Sequence, residues 1–233
     1  MSRFAVVDVE TSGLEPKKHH VLQVGVVVTD GQGAILDRWS SLVGPRSRWF
    51  FRVGPRRIHG ISRRALRSAP PAREVMLELA RRIEGARFVA HNAPFDLAFL
   101  RRTATSTHVE LPIHEPVCTL RLSRALDPQR TRSHRLTDLC DRYDVTLVKA
   151  HDALADAEAT ARSGARAMIA AGLRRTDRVI HCLNYQLWTG GVTDHLILER
   201  AGAFAGRQQM PRLRVQCAAG SERLAKWATL LQH

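Results

Sequence analysis

The sequence predicts an α/β fold, a mixed sheet flanked by helices, from three observations. Short apolar runs recur near residues 4–9, 21–29 and 34–43, helical patterns follow them, and an Ala-rich stretch from about Asp152 to Ala171 stops at Gly172. The first run, Phe4-Ala-Val-Val7, is continuous and short, which suits a buried strand. The second and third runs flank a turn at Asp30-Gly31. A helix follows near 71–84, and Arg87-Phe-Val-Ala90 reads as a fourth strand. The next helix, near 94–103, carries an apolar face of Phe95, Leu97, Phe99 and Leu100. Helices near 118–126 and 134–143, a short strand at 145–148 and the Ala-rich helix complete the core, with Gly172 at the usual C-terminal position.

Acidic residues sit at particular points of this frame. Asp8 and Glu10 end the first strand, and side chains two apart on a strand share a face, so both carboxylates can meet one cation. Asp156 and Glu158 repeat the spacing on a helix, where it splays them by about 200°. Asp96 falls in the first turn of its helix, where an acid also serves simply as a dipole partner. His91 and Asn92 stand at the preceding corner and equally suit capping. His151 precedes the last helix and Asp156 lies inside it; alone, His151 reads as an exposed loop histidine. These simpler readings weaken once three acidic sites and a histidine converge.

In order along the chain these residues resemble the DnaQ-like 3′–5′ exonucleases of the DEDDh type. Asp8-Val-Glu10 with Thr11-Ser-Gly-Leu14 resembles their first motif, His91-Asn-Ala-Pro-Phe-Asp96 their second and His151-Asp-Ala-Leu-Ala-Asp156 their third. Ile58-His-Gly-Ile-Ser62 and Ser133-His-Arg-Leu-Thr-Asp-Leu-Cys140 match accessory stretches, and the likeness covers about residues 1–172. It implies a ribonuclease H-like architecture and an exonuclease acting on a nucleic acid with a 3′ end. It also implies that Thr11 and Leu14 hold the terminal 3′-hydroxyl and wedge the last base. Asn92 and Phe95 then fall near the scissile end, and His59 on the substrate side, where a buried structural histidine is the equal alternative. Position 12 is Ser where many relatives carry Thr.

The residue types suit phosphodiester hydrolysis. Asp8, Glu10, Asp96 and Asp156 offer the oxygen ligands that hard cations prefer, a cage for two divalent cations, Mg²⁺ or Mn²⁺. Two such ions about 4 Å apart stabilise attacking and leaving oxygens together. No covalent nucleophile is required. Imidazole titrates close to neutral pH, so His151 suits the general base, with activity falling below about pH 6.

Composition agrees with an acidic polymer. The chain has 36 Lys and Arg against 22 Asp and Glu, a net charge of +14, and a pI near 11.1; such a field attracts phosphate backbones. The segment from Arg46 to Arg64 interleaves Trp49, Phe50 and Phe51 with arginines. It suits either one wall of a single-strand channel, with bases stacked on aromatics, or simple packing under a long loop.

The length of 233 residues suits an exonuclease domain over 1–172 and an extension over 173–233, a small α+β appendage. That extension holds apolar runs at Val192–Leu198 and Leu213–Cys217 and an amphipathic helix over Ser221–Leu231. Gln186-Leu-Trp188 is too short a likeness to a clamp-binding peptide to carry weight. Cys118, Cys140, Cys182 and Cys217 lack CxxC spacing, so neither zinc site nor disulfide framework is expected. Charges interrupt every hydrophobic run, which points to a cytoplasmic chain without a membrane partner. DNA is the expected substrate, and a DNA polymerase subunit is the expected partner if the activity serves proofreading. An RNA-directed exoribonuclease is the runner-up, ahead of a non-catalytic nucleic-acid-binding subunit.

Overall fold

The structure, a computed structural model, describes residues 3–170 apart from Gln32 and Arg48, and beyond them three short strands. β1 (Arg3–Thr11), β2 (Val21–Asp30) and β3 (Ile35–Leu42) form an antiparallel meander. β4 (Arg87–Ala90) and β5 (Val117–Cys118) add in parallel beyond β1, giving a five-stranded mixed sheet in the order β3-β2-β1-β4-β5.

The central strand feeds two cores because its side chains alternate. Ala5, Val7 and Val9 join Val75, Met76 and Leu79 of α3 (Ala72–Ile83) and Phe99 and Leu100 of α4 (Ala93–Thr107). Phe4 and Val6 join Leu122 of α5 (Thr119–Ala125) and Ala157 of α7 (Ala153–Ala170). Asp8 and Glu10 continue the Phe4–Val6 row, so both acids lie at the end of the face that α7 covers. The expected mixed sheet flanked by helices is therefore observed, and so are the helices expected near 71–84, 94–103, 118–126 and 134–143, the last as α6 (Leu136–Arg142).

The fifth strand differs from expectation. Residues 145–148 are irregular, and the sheet instead takes Val117 and Cys118, which the sequence reading gave partly to a helix. Val145 finds cover against Cys140 and Ala159, whereas Val148 is 87% exposed, so this short run has one buried end and no strand to pair with. Val117 and Cys118 face Val89 and Ala90 in parallel register, a pairing set by the distant β4 and invisible in two residues of sequence. The Arg-rich segment is also more structured than a loop, with helical turns α1 (Arg56–His59) and α2 (Arg63–Arg67).

Beyond the core, β6 (Arg178–Ile180), β7 (Phe204–Ala205) and β8 (Arg214–Val215) pair in parallel in the order β7-β6-β8. Gly172, Cys182, Gln186-Leu-Trp188, the Val192–Leu198 run, Cys217 and the expected Ser221–Leu231 helix lie outside the described residues. Cys118 and Cys140 are free and buried. Among the described residues no helix is long and apolar enough to cross a membrane.

Candidate active site

β1 and β2 pair regularly as far as Glu10, opposite Gln23, and then slip so that Thr11 faces Val21. The resulting bulge bends the strand at its acidic end. The skipped residue, Leu22, is buried in a small cluster with Ile61 and Leu66, which ties the α1–α2 segment to this end of the sheet.

The second acidic element arrives through a tight corner. Asn92 adopts a left-handed conformation, φ 67°, and α4 starts immediately after it, with Pro94 in its first turn. Asp96 is only 2% exposed, and its Oδ1 accepts the Val9 N–H at 3.2 Å, beyond the last β1–β4 pair at Val6. The helix start thus delivers its carboxyl to the strand between Asp8 and Glu10.

The third element depends on a glycine. Gly25 pairs with Asp8, and a Cβ at that position would stand 2.2 Å from the Ala153 carbonyl carbon and 2.4 Å from the Leu154 nitrogen. Without one, the first turn of α7 rests directly on β2 and brings Asp156 to the acids of β1. Glu10, His151 and Asp156 each offer a possible ligand atom within 4.8 Å of the others. His151 takes φ 62°, its backbone N–H donates to Asp156 Oδ2 at 3.0 Å, and its ring is exposed. Asp156 Oδ1 is buried and has no hydrogen-bond partner among the described residues.

Two residues not singled out in the sequence support this corner. Asp152 Oδ1 accepts the Ala155 N–H at 3.2 Å, capping α7, and its Oδ2 accepts from Gln23 Nε2 at 3.3 Å. Gln23 Oε1 in turn accepts the Ala153 N–H at 3.4 Å. An Asp just before a helical run is a legible cap signal, and a lone Gln in the apolar Val21–Val28 strand was a legible oddity.

A family model for exonucleases, RNase_T, matches residues 5–163. The 3′-5′ exonuclease DinG of Bacillus subtilis is 33% identical over 159 residues, which are 68% of this chain and 17% of that protein. The chain belongs to the 3′–5′ exonuclease family. A PolC-type DNA polymerase III from Halalkalibacterium halodurans is likewise 33% identical over 159 residues, 68% of this chain and 11% of the polymerase. The chain therefore spans less than a fifth of the length of the curated relatives it matches. The ribonuclease H-like fold agrees with E. coli Exonuclease I in complex with a dT13 oligonucleotide: TM-score 0.60, 20% identity, 69% of this chain and 40% of that one. A zinc-bound form of the E. coli ExoI–ssDNA complex superimposes with TM-score 0.65 at 19% identity, covering 73% and 41%.

Electrostatics of the acidic cluster favour a cation. Burial raises Asp8 well above the usual carboxylate range, and Asp96, Asp156, Glu10 and Asp152 add to the rise. Burial, then Asp156 and Asp152, push Glu10 to about 7. Burial lifts Asp96 to about 8 against its hydrogen bonds, and lifts Asp156 to about 6 against the His151 N–H. Each acid resists ionising because it is desolvated and faces other acids. The orphaned Asp156 Oδ1 and the grouping of the Glu10 and Asp156 carboxylates with His151 fit the divalent cation that family membership implies.

The other expected residues stand in different states. Leu14 is 81% exposed, and Thr11 Oγ1 donates to the Gly13 carbonyl at 2.8 Å. Asn92 caps nothing through its side chain, while Phe95 is half-buried with its ring 5.0 Å from that of Phe99. His59 is buried; its Nε2 engages the Val53 carbonyl at 3.1 Å and its Nδ1 accepts the Ile61 N–H at 3.0 Å, which favours the structural reading. His91 is committed as well, bonded to Thr119 Oγ1 and the His134 carbonyl, both at 3.0 Å.

Proposed function

We propose that this exonuclease hydrolyses the terminal phosphodiester bond at the 3′ end of single-stranded or frayed DNA and releases nucleoside 5′-monophosphates. The observation that carries the reading is the convergence of Glu10 and Asp156 with the exposed ring of His151 at one open corner. Asp8, Glu10, Asp96 and Asp156 would hold two Mg²⁺ or Mn²⁺ ions, which when bound lower the pKa of water and offset charge on the leaving oxygen.

The chain's own residues orient and move the proton. His151 stands outside the buried carboxyls, held by its backbone bond to Asp156, so its ring accepts the proton of the attacking water. Water attacks the terminal phosphorus, the 3′ oxygen of the preceding sugar leaves and takes up a proton from solvent to become a hydroxyl, and the phosphate departs on the released nucleotide. Thr11 Oγ1 donates to Gly13 and so keeps its lone pairs for the terminal 3′-hydroxyl, while the exposed Leu14 wedges under the last base. Asn92 and Phe95 flank the acid-bearing turn of α4 and contact the scissile end. DNA is preferred to RNA because the PolC-type relatives are DNA polymerases by name and the E. coli structure holds a dT13 strand. The PolC-type relatives support a role beside a polymerase, and DNA repair is the other setting in which such a 3′ end arises. Residues 173–233 are read as an appendage to the domain over 1–172.

The test compares the pH–rate profiles of wild type and His151→Ala with Mg²⁺ or Mn²⁺ present. Loss of a general base should lower the rate by about 10²–10⁴-fold and remove the acidic limb. An unchanged profile in the variant would sink the assignment. Chelation should stop the wild type completely, and activity surviving EDTA would remove the cations from the mechanism.

A further inference from the structure

We propose that Trp49 and Phe50 form a stacking platform for unpaired bases on the 5′ side of the scissile bond; this rests on the nuclease reading above. The segment's three aromatics divide into an anchor and a tip. Phe51 packs beside the Leu22, Ile61 and Leu66 cluster, so simple packing accounts for it. Trp49 and Phe50 are 75% and 88% exposed, and among the described residues no other Phe, Tyr or Trp is exposed. Two adjacent bare rings are costly to leave in water without a partner.

The tip is held in shape. Arg63 lies 4.5 Å over the Phe51 ring and donates to the Trp49 carbonyl at 2.7 Å. Ser47 Oγ accepts the N–H groups of Trp49 and Phe50 at 3.4 and 3.2 Å. A fixed backbone lowers the ordering cost of binding.

The base of the loop touches the active-site strand. Gly54, at φ 74°, passes so close that a Cβ would sit 2.4 Å from the Ser12 carbonyl oxygen, two residues beyond Glu10. Phe50 is four residues from Gly54, a reach of at most about 14 Å. His59 ties the loop to itself, its Nε2 engaging the Val53 carbonyl at 3.1 Å.

Charge selects the occupant. No Asp or Glu lies between Asp37 and Glu74, and Arg46, Arg52, Arg56, Arg57 and Arg64 of that stretch are exposed. Flat apolar faces among guanidinium groups match a single strand, whose bases stack while its phosphates pair with arginine.

The full chain is assayed as wild type and as the Trp49→Ala/Phe50→Ala double variant on two substrates. One is a single strand of about ten nucleotides, within the range single-strand grooves hold; the other is the p-nitrophenyl ester of thymidine 5′-monophosphate, which has no upstream base. For the strand, KM should rise by about tenfold or more while kcat stays within about twofold. The ester should be cleaved equally by both proteins, and abasic sites upstream in the strand should erase the difference. Equal KM values on the strand would overturn the platform, as would a KM rise that survives abasic substitution or a matching loss on the ester. A wild type that cleaves neither substrate would instead sink the nuclease reading.

Discussion

At the scale of single residues, the centre is a set of carboxyls that the fold buries against their own preference. Asp96, Glu10 and Asp156 are raised to about 8, 7 and 6, and Asp8 is raised too, so each binds its proton more tightly folded than unfolded. Their stabilising share is therefore fully present below the unfolded pKa of about 4 and is lost as pH rises through about 6 to 8. Metal-free protein should melt at a falling temperature from pH 5 to pH 8 by calorimetry in EDTA, and Mg²⁺ or Mn²⁺ should restore it. Asp96→Asn should flatten the fall while abolishing cleavage; a melting temperature independent of pH in the wild type would contradict the electrostatic account. Asp8 and Glu10 were legible because a strand's alternation is written in sequence. Whether His59 served substrate or structure was not, because only the fold brings the Val53 carbonyl to its ring.

Elements position these residues, and two contacts carry that positioning. Gly25 lets α7 lie on β2, so Gly25→Ala must push the helix away from Asp8 and Glu10. Overpacking should cost about 1–3 kcal/mol in urea denaturation, and displacing Asp156 by about 1 Å should lower kcat/KM by about 10²-fold. A variant with both values unchanged would show that α7 is not seated by this contact. His91 joins the end of β4 to α5 and to the loop before α6, so His91→Ala should cost about 1–3 kcal/mol of stability by leaving Thr119 and the His134 carbonyl unpaired. Long, periodic elements such as β1, α3 and α4 were readable in sequence because burial repeats along them. β5 was not, since its two residues are a strand only by virtue of Val89 and Ala90 beside them. Nor was the approach of α7 at Gly25, which joins positions 128 residues apart from Ala153 back to Gly25.

At the scale of the whole molecule, the chain carries a net charge of +14 alongside its acidic centre, so under the proposed function its arginines would gather the strand that the carboxyls alone would repel. The logarithm of the affinity for single strands should fall linearly with log salt, with a slope of about 0.7 per phosphate contacted, and a salt-independent Kd would contradict this. Single strands should be cut faster than blunt duplexes, because opening each paired step costs about 1–2 kcal/mol. The central claim is 3′-directed cleavage by the carboxyl centre, and it is tested most directly with 5′-labelled single-stranded DNA and RNA of one sequence. Wild type and Asp8→Ala are compared with Mg²⁺ or Mn²⁺. The account predicts a ladder shortening from the 3′ end, faster on DNA and lost in the variant; retained binding without any ladder from either polymer would contradict it.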